Sequence, residues 1–160
     1  SLVLAQLEIP LATVIHVFTQ ARHSDAITVL NPAPAAQLSD TLLAMCDIVV
    51  PNETESEALG GTAHLLHAGA ITVITTLGAR GAEITNANST VSITPTQVRT
   101  IDTVGAGDAF VGALCAELSR GQEIQLAAQT ASIAGALATT IRGAVPSLPT
   151  RDAVTQHQAI

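Results

Sequence analysis

The stretch TIDTVGAGDAFVGAL, residues 100–114, carries the strongest structural signal in this chain. Two aspartates, Asp102 and Asp108, enclose a run of small residues, and an apolar helical pattern begins directly after it. Glycines at a helix start leave backbone N–H groups uncovered, and the helix dipole adds partial positive charge there. The stretch therefore predicts either an anion site followed by a catalytic carboxylate, or a strand-to-helix turn in which Asp108 only favours the helix terminus.

Two familiar phosphate-binding loops do not match this stretch. A Walker A loop needs Lys followed by Ser or Thr after its glycines, and Ala109 and Phe110 stand there instead; the dinucleotide-fingerprint spacing is also absent. A carboxylate beside an anion site could accept the proton of a hydroxyl that attacks a phosphoryl group. Asp108 is therefore a candidate base for phosphoryl transfer.

The composition favours a globular domain that binds neither nucleic acid nor membrane. The 160 residues are 48% apolar and 12% charged, with a formal net charge of -7, which disfavours phosphate backbones and anionic membrane surfaces as partners. Cys46 and Cys115 lie far apart in apolar contexts and are expected to be buried thiols of a reducing compartment. We expect a cytoplasmic location. The apolar run SLVLAQLEIP at the start suggests a piece of a longer protein.

Alternating strand and helix patterns predict an α/β fold with a mainly parallel sheet covered on both faces. Ligands gather at the carboxyl ends of such strands, and polar or glycine-rich groups follow five predicted strands. One of these predicted strands leads into Asp102, which as a carboxylate ending a buried strand would need a partner such as a bound cation. The predicted strands cover 2–7, 26–31, 47–52 and 71–78, with a hairpin turning near 86–89; predicted helices include 107–119 and 123–140, and a last helical fragment follows 141–150.

Five motifs occur here in the order shown by one known family: NPAPA, PNETE, TLGARG, DTVGAGDAF and GAVPS. The chain resembles the carboxyl-terminal half of members of the ribokinase-like family of sugar and nucleoside kinases. The resemblance extends over essentially the whole chain, and QLE, LNPAPA and PNETE point to its ribose-phosphorylating members. It implies a three-layer α/β sandwich from which the amino-terminal half and the lid are missing, so that residues 1–160 form one carboxyl-terminal part of a kinase domain.

The resemblance also implies roles for individual residues in the transfer of phosphate from ATP to a sugar, most specifically D-ribose to D-ribose 5-phosphate. Asp108 matches the catalytic base and also contacts the substrate, and Glu8 matches a carboxylate that hydrogen-bonds the sugar. The anion hole matches Gly105, Ala106 and Gly107.

Nucleotide and cation sites are implied in the same way. The residues that match ATP-binding positions are Asn52, Thr76, Leu77, Gly78, Ala79, Arg80, Gly81, Gly107 and Ser132. Asn52 and Glu55 match the motif that holds Mg²⁺ through water, and oxygen donors suit that cation. A K⁺ site made mostly of backbone carbonyls matches Asp102, Val104, Ala138, Ile141, Gly143 and Ser147.

The sequence also departs from the family pattern. The family's Gly-Gly sugar motif and its small lid sheet, which pairs subunits into a homodimer, have no counterpart here. Between Gly61 and His64 the chain is about a dozen residues shorter than such connections require, which could displace Glu55 or remove a covering helix. For this chain alone we therefore expect no measurable sugar phosphorylation.

Several other polar residues have plain structural interpretations. His64 and His67 have metal-ligand spacing but lack a third ligand nearby, so an exposed helix face is favoured. Glu53 and Glu57 suit a helix start, Arg142 suits a helix end, and Arg80 is as consistent with a solvated side chain as with a phosphate clamp.

Three hypotheses follow from the sequence. The chain is the nucleotide-binding and catalytic part of an ATP-dependent sugar kinase, or a truncated descendant without catalysis, or a non-enzymatic α/β module that keeps the anion site.

Overall fold

The computed structural model describes residues 1–158 and divides them into two compact units. The first unit comprises residues 1–77 and 83–91, and the second comprises residues 78–82 and 92–158. No helix within residues 1–158 is long and apolar enough to cross a membrane.

Six strands form one sheet in the order β1-β2-β3-β4-β5-β6. Pairs β1–β2, β2–β3 and β3–β4 are parallel, and β5 and β6 form the predicted hairpin, whose turn is closed by a hydrogen bond from Asn86 N to Ser89 O at 3.0 Å. The mainly parallel α/β sheet predicted from the sequence is therefore confirmed. The strands are β1 (Leu2–Gln6), β2 (Ile27–Asn31), β3 (Ile48–Val49), β4 (Thr72–Thr76), β5 (Ala82–Asn86) and β6 (Thr90–Ile93).

Seven α-helices occur within the described residues: α1 (Leu11–His23), α2 (Asp40–Leu43), α3 (Glu53–Ala58), α4 (Thr62–His67), α5 (Ala106–Ser119), α6 (Ile124–Ala138) and α7 (Arg151–Gln158). Ser39 caps α2 by accepting the Leu42 N–H. Gly60 and Gly61, both at positive φ, separate α3 from α4.

The first unit is built around a core of aliphatic side chains with one aromatic ring. Phe18 of α1 and Leu30 of β2 are fully buried there beside Cys46 and Leu65. Burying such side chains contributes about 1.5–3 kcal/mol each, which lets a chain with two aromatic residues hold a defined core.

The second unit depends on close helix packing. The buried face of α6 consists of small residues, and a Cβ added at Gly135 would approach the Ala106 carbonyl oxygen to 3.2 Å. Small residues at a helix contact let two backbones approach closely, so α6 lies directly against the first turn of α5. Its buried residues are Ala127, Ala128, Ala131, Ala134, Gly135 and Ala138.

Candidate functional site

The turn before α5 has the geometry that the glycines of residues 100–114 predicted. Gly105 is the N-cap of α5 at φ +80°, a left-handed conformation that favours glycine. A Cβ at this position would also lie 3.0 Å from the Ala144 Cα. Gly105 is therefore required twice, by its backbone conformation and by the loop packed against it.

Gly107 and Ala106 differ in how far they are open to a ligand. A Cβ added at Gly107 meets nothing within 4 Å, so that stretch of backbone is open to an approaching group. The Ala106 N–H, in contrast, donates to the Thr103 carbonyl at 3.2 Å. Part of the predicted set of uncovered N–H groups is thus already engaged within the turn, and the open part lies toward Gly107.

Asp108 lies in the first turn of α5, and its residue is exposed. A carboxylate in a first turn is stabilised by the helix dipole, whatever its further role. The positions of Asp108 and Gly107 on one turn place a proton acceptor next to open backbone at a helix N-terminus. The structure therefore brings together the two features that the sequence predicted for phosphoryl transfer.

The strand predicted to lead into Asp102 is absent, and that prediction was wrong. Residues 94–100 have no regular structure, and Asp102 lies in the loop before α5. Its backbone N–H and that of Ile101 donate to the Thr139 carbonyl at 3.1 and 2.7 Å. The loop is therefore held by the end of α6 instead of by a neighbouring strand.

The Asp102 carboxylate joins two loops of the second unit. Oδ2 accepts the Gly143 N–H at 2.9 Å, and Oδ1 accepts the Val104 N–H at 3.1 Å. The hydrogen bond from Gly143, followed by that from Val104, holds the pKa of Asp102 below its ordinary value of 3.8. Two backbone N–H groups, whose positions the sequence could not reveal, thus contact this carboxylate.

The other residues predicted for a K⁺ site lie in or beside these loops. Ala138 ends α6, Gly143 has φ +90°, and Val104 and Ile141 are exposed. Ser147 is 1% exposed and donates its hydroxyl to the Ala144 carbonyl at 2.9 Å, which leaves the hydroxyl oxygen available as an acceptor. The residues predicted for K⁺ thus offer carboxylate, hydroxyl and backbone carbonyl oxygens, in or beside the two loops that the bond from Gly143 to Asp102 joins.

In the first unit, Glu8 is exposed in the turn that follows β1. This turn is tied to the segment after β2, because the Leu7 N–H donates to the Ala33 carbonyl at 3.0 Å. Glu8 therefore lies at the carboxyl end of the parallel strands, where the sequence placed it.

Asn52 and Glu55 form a reciprocal capping box at the start of α3. Asn52 Oδ1 accepts the Glu55 N–H and Glu55 Oε2 accepts the Asn52 N–H, each at 2.8 Å. The box uses one carboxylate oxygen of Glu55, so the other can face a hydrated cation. No group of three or more His, Cys, Asp or Glu residues suited to a metal occurs within residues 1–158. Asn52 and Glu55 offer an amide and a carboxylate oxygen, the type of donor that suits Mg²⁺ bound through its waters.

The predicted nucleotide loop begins at the end of β4. Thr76 ends that strand and forms an isolated parallel bridge with Asn52, and Leu77 follows. Gly78, Ala79 and Arg80 form a 3₁₀ turn, and Gly81 has φ +88° with the Ile93 carbonyl where a Cβ would lie. Ser132 is half-buried on α6.

His64 and His67 are both exposed on α4, which agrees with the structural interpretation of their spacing. Cys46 and Cys115 are buried free thiols, also as predicted.

Sequence reasoning assigned no role to Asn31 of the NPAPA motif or to Gln6. The structure joins them by a hydrogen bond from Gln6 Nε2 to Asn31 Oδ1 at 2.8 Å. A polar residue at the end of an otherwise buried strand was the signal that could have drawn attention to Asn31.

Comparison with known proteins identifies relatives over nearly the entire chain. The chain is 37% identical to ribokinase of Staphylococcus aureus, over 96% of this chain and 55% of that protein. It is 30% identical to deoxyribokinase of Salmonella typhi, over 99% of this chain and 56% of that protein. The chain thus spans about half the length of the relatives it matches.

Solved structures share the fold. Ribokinase from Thermotoga maritima matches with a TM-score of 0.92 at 30% identity, over 100% of this chain and 57% of that one. Arabidopsis thaliana ribokinase in complex with ribose and ATP matches with a TM-score of 0.88 at 27% identity, over 99% of this chain and 56% of that one. An Escherichia coli protein described as a ribokinase II, solved with ATP and Mg²⁺, matches with a TM-score of 0.76 at 25% identity, over 89% and 51%.

The fold is therefore ribokinase-like, as the sequence predicted. Residues 2–151 match the family described as pfkB family carbohydrate kinase. Because that match covers nearly the whole chain, the protein belongs to the pfkB family of carbohydrate kinases.

Proposed function

We propose that this chain is the nucleotide-binding and catalytic part of an ATP-dependent sugar kinase that converts D-ribose to D-ribose 5-phosphate. The observation that carries the proposal is the first turn of α5, where open backbone at Gly107 adjoins the Asp108 carboxylate. The S. aureus relative and the Arabidopsis structure with ribose and ATP support ribose as the sugar. The complete protein is proposed to be a homodimer located in the cytoplasm.

In this proposal the protein supplies a base and fixed dipoles. The sugar hydroxyl oxygen attacks the terminal phosphorus of ATP, the bond to the bridging oxygen breaks, and ADP leaves. Asp108 accepts the hydroxyl proton, while the α5 dipole and the open backbone toward Gly107 face the charge on the transferred group, in the turn that Gly105 and Ala106 shape. Glu8 orients the sugar by accepting hydrogen bonds from its hydroxyls.

The remaining residues bind nucleotide and cations. We assign residues 76–81 and Ser132 to ATP, and Asn52 and Glu55 to Mg²⁺ through its water shell. Mg²⁺, when bound, neutralises phosphate charge. We assign the K⁺ site to Asp102 and Ser147 with the carbonyls of Val104, Ala138, Ile141 and Gly143, next to the turn that bears the anion hole.

A chimera tests the function directly. This chain replaces the matching segment of S. aureus ribokinase, and ADP release is measured with ribose, with 2-deoxyribose and without sugar. We expect sugar-dependent turnover, and we expect Asp108→Asn to lower kcat by about 10²–10⁴-fold while the KM for ATP stays nearly unchanged.

The controls separate the parts of this proposal. Asp152→Asn, on exposed α7, is the matched aspartate control and should leave kcat unchanged. A loss below tenfold in Asp108→Asn would exclude the base role. If turnover is faster with 2-deoxyribose than with ribose, 2-deoxyribose becomes the proposed substrate.

A chain without catalysis is the second candidate, favoured by the 55% coverage of the S. aureus relative. For the isolated chain we expect no measurable sugar phosphorylation, because part of the relatives' length has no counterpart in it. Steady ADP production by the pure chain, dependent on ribose and abolished in Asp108→Asn, would contradict this. Binding of MgATP without turnover even in the chimera would favour a non-enzymatic nucleotide-binding module.

A further inference from the structure

Asn31, the last residue of β2, uses both ends of its side-chain amide. Its Oδ1 accepts from Gln6 Nε2 at 2.8 Å, and its Nδ2 donates to the Val50 carbonyl at 2.8 Å. Asn31 is 8% exposed; its bond to the Val50 carbonyl is buried and its bond from Gln6 is partly buried. One side chain therefore connects the carboxyl ends of three neighbouring strands or their extensions.

The connection begins where the backbone ladder stops. The β2–β3 register ends at the pair Leu30–Val49, and one further backbone bond runs from Val50 N to Leu30 O at 2.8 Å. Beyond it, the Asn31 side chain supplies the next contact between these strands. An unpaired Val50 carbonyl at this depth would be costly, so the amide holds the position of the chain that leads into Asn52.

Residues proposed to bind the sugar or Mg²⁺ follow along the chain at both ends of this connection. Glu8 comes two residues after Gln6, in a turn also fixed by the hydrogen bond from Leu7 N to Ala33 O. Asn52 comes two residues after Val50 and begins the capping box with Glu55. The Ala33 N–H in turn donates to the Asn31 carbonyl at 2.9 Å. Asn31 thus contacts the supports of both groups within one unit.

We propose that Asn31 is a positioning residue that fixes Glu8 relative to the Asn52–Glu55 cap, through Gln6 on one side and Val50 on the other. This rests on the proposed function, in which Glu8 contacts the sugar and the cap serves hydrated Mg²⁺. A planar amide suits the task because it offers an acceptor and a donor in fixed directions. A carboxylate offers acceptors alone, and an aliphatic side chain offers neither.

Amide NMR spectra of the 160-residue chain test the coupling without catalysis. Gln6→Met removes the donor to Asn31 and leaves Asn31 in place. We expect Gln6→Met to shift the amide resonances of residues 7–9 and also those of residues 52–55. The Glu55 amide should exchange its hydrogen about fivefold faster, which is the change expected when one hydrogen bond is weakened. Gln20→Met, on the exposed face of α1, is the matched control and should shift its neighbours alone.

Gln6→Met is then introduced into an Asn31→Leu variant, which completes a double-mutant cycle. There Gln6→Met should still shift residues 7–9 but leave residues 52–55 unchanged. If Asn31→Leu does not fold, Asn31→Ser, which is too short to bridge both partners, takes its place. The proposal is overturned if Gln6→Met never moves residues 52–55, or moves them equally without Asn31.

Ribose titration adds a readout that a purely structural role would not change. In the unsubstituted chain ribose should shift residues 7–9 and, through Asn31, residues 52–55; in Asn31→Leu it should shift residues 7–9 alone. If ribose shifts nothing in the unsubstituted chain, the sugar contact proposed for this chain fails, while the pattern produced by Gln6→Met still decides the role of Asn31.

Discussion

Gly105 and Gly112 show that the cost of adding one methyl group depends on backbone conformation. Gly105 has φ +80° and faces the Ala144 backbone, whereas Gly112 lies within α5 with nothing within 4 Å of an added Cβ. Gly105→Ala should lower the free energy of unfolding by about 1–3 kcal/mol. Gly112→Ala should raise it by about 0.5–1 kcal/mol through helix propensity.

Urea unfolding of the two glycine variants measures both changes in one experiment. Equal effects of the two substitutions would contradict the left-handed turn at Gly105, and with it the geometry that opens the backbone at Gly107.

The Asp102 carboxylate accepts the Gly143 N–H, directly after the exposed residue Arg142. Asp102→Asn keeps one acceptor oxygen but places an NH₂ group against a backbone N–H, so the bond to Gly143 or to Val104 is lost. Trypsin should then cleave after Arg142 several-fold faster. Cleavage after Arg120, at the end of α5, is the internal control and should keep its rate.

Acidification should release the same contact in the unsubstituted chain. Hydrogen bonds lower the pKa of Asp102 in the folded state, so its contribution to stability is present above the ordinary value of 3.8 and is lost as the pH falls through the lower folded value. The amide shifts of Val104 and Gly143 should titrate below pH 3.8. In Asp102→Asn this inflection should be absent.

At the scale of elements, α3 illustrates how a short helix depends on its cap. Its six residues cannot form a stable helix by propensity alone, and the capping box satisfies two terminal N–H groups. Asn52→Ala should lower the free energy of unfolding by about 1 kcal/mol, whereas Asn52→Asp keeps a good N-cap and should change it by less than about 0.5 kcal/mol. Thermal unfolding distinguishes them; equal destabilisation would show that the cap is not what stabilises α3.

The longer helices and strands were predicted closely, and the errors concern strands that are short or absent. The patterns at 107–119 and 123–140 agree with α5 and α6 within one or two residues, because an amphipathic period repeats over several turns. The strand predicted at 47–52 is only Ile48–Val49, and the strand predicted before Asp102 does not exist. Strand length depends on neighbours that supply hydrogen bonds, and those neighbours cannot be identified from a local apolar run.

At the scale of the whole molecule, the two buried cysteines report on different units. Burial raises the pKa of Cys46 to about 12, with a smaller contribution from the Asp47 charge, and burial raises the pKa of Cys115 to about 11. Neither thiol should react with a disulfide reagent at pH 8 in the folded chain, and both should react in denaturant. Reactivity of one thiol at lower urea than the other would show that the units unfold separately.

The same thiols predict how stability depends on alkaline pH. Below the ordinary value of 9.0 both states hold the proton, and above it the unfolded chain ionises first, so stability falls as the pH rises toward the folded values. The urea midpoint should decrease between pH 8 and pH 10, and less so in Cys46→Val. An unchanged midpoint would contradict the burial of these groups.

By itself, the sequence determined the α/β class, the helix predicted at 107–119 and the family, because strand-helix alternation and the DTVGAGDAF motif are local patterns. Tertiary structure decided which hydrogen-bond donors pair with which acceptors. Asp102 takes its hydrogen bonds from Val104 and Gly143, and Asn31 links Gln6 with Val50. These partners lie up to 41 residues apart along the chain. Hydrogen bonds between distant residues depend on how the elements pack, and that packing is set by the whole chain at once.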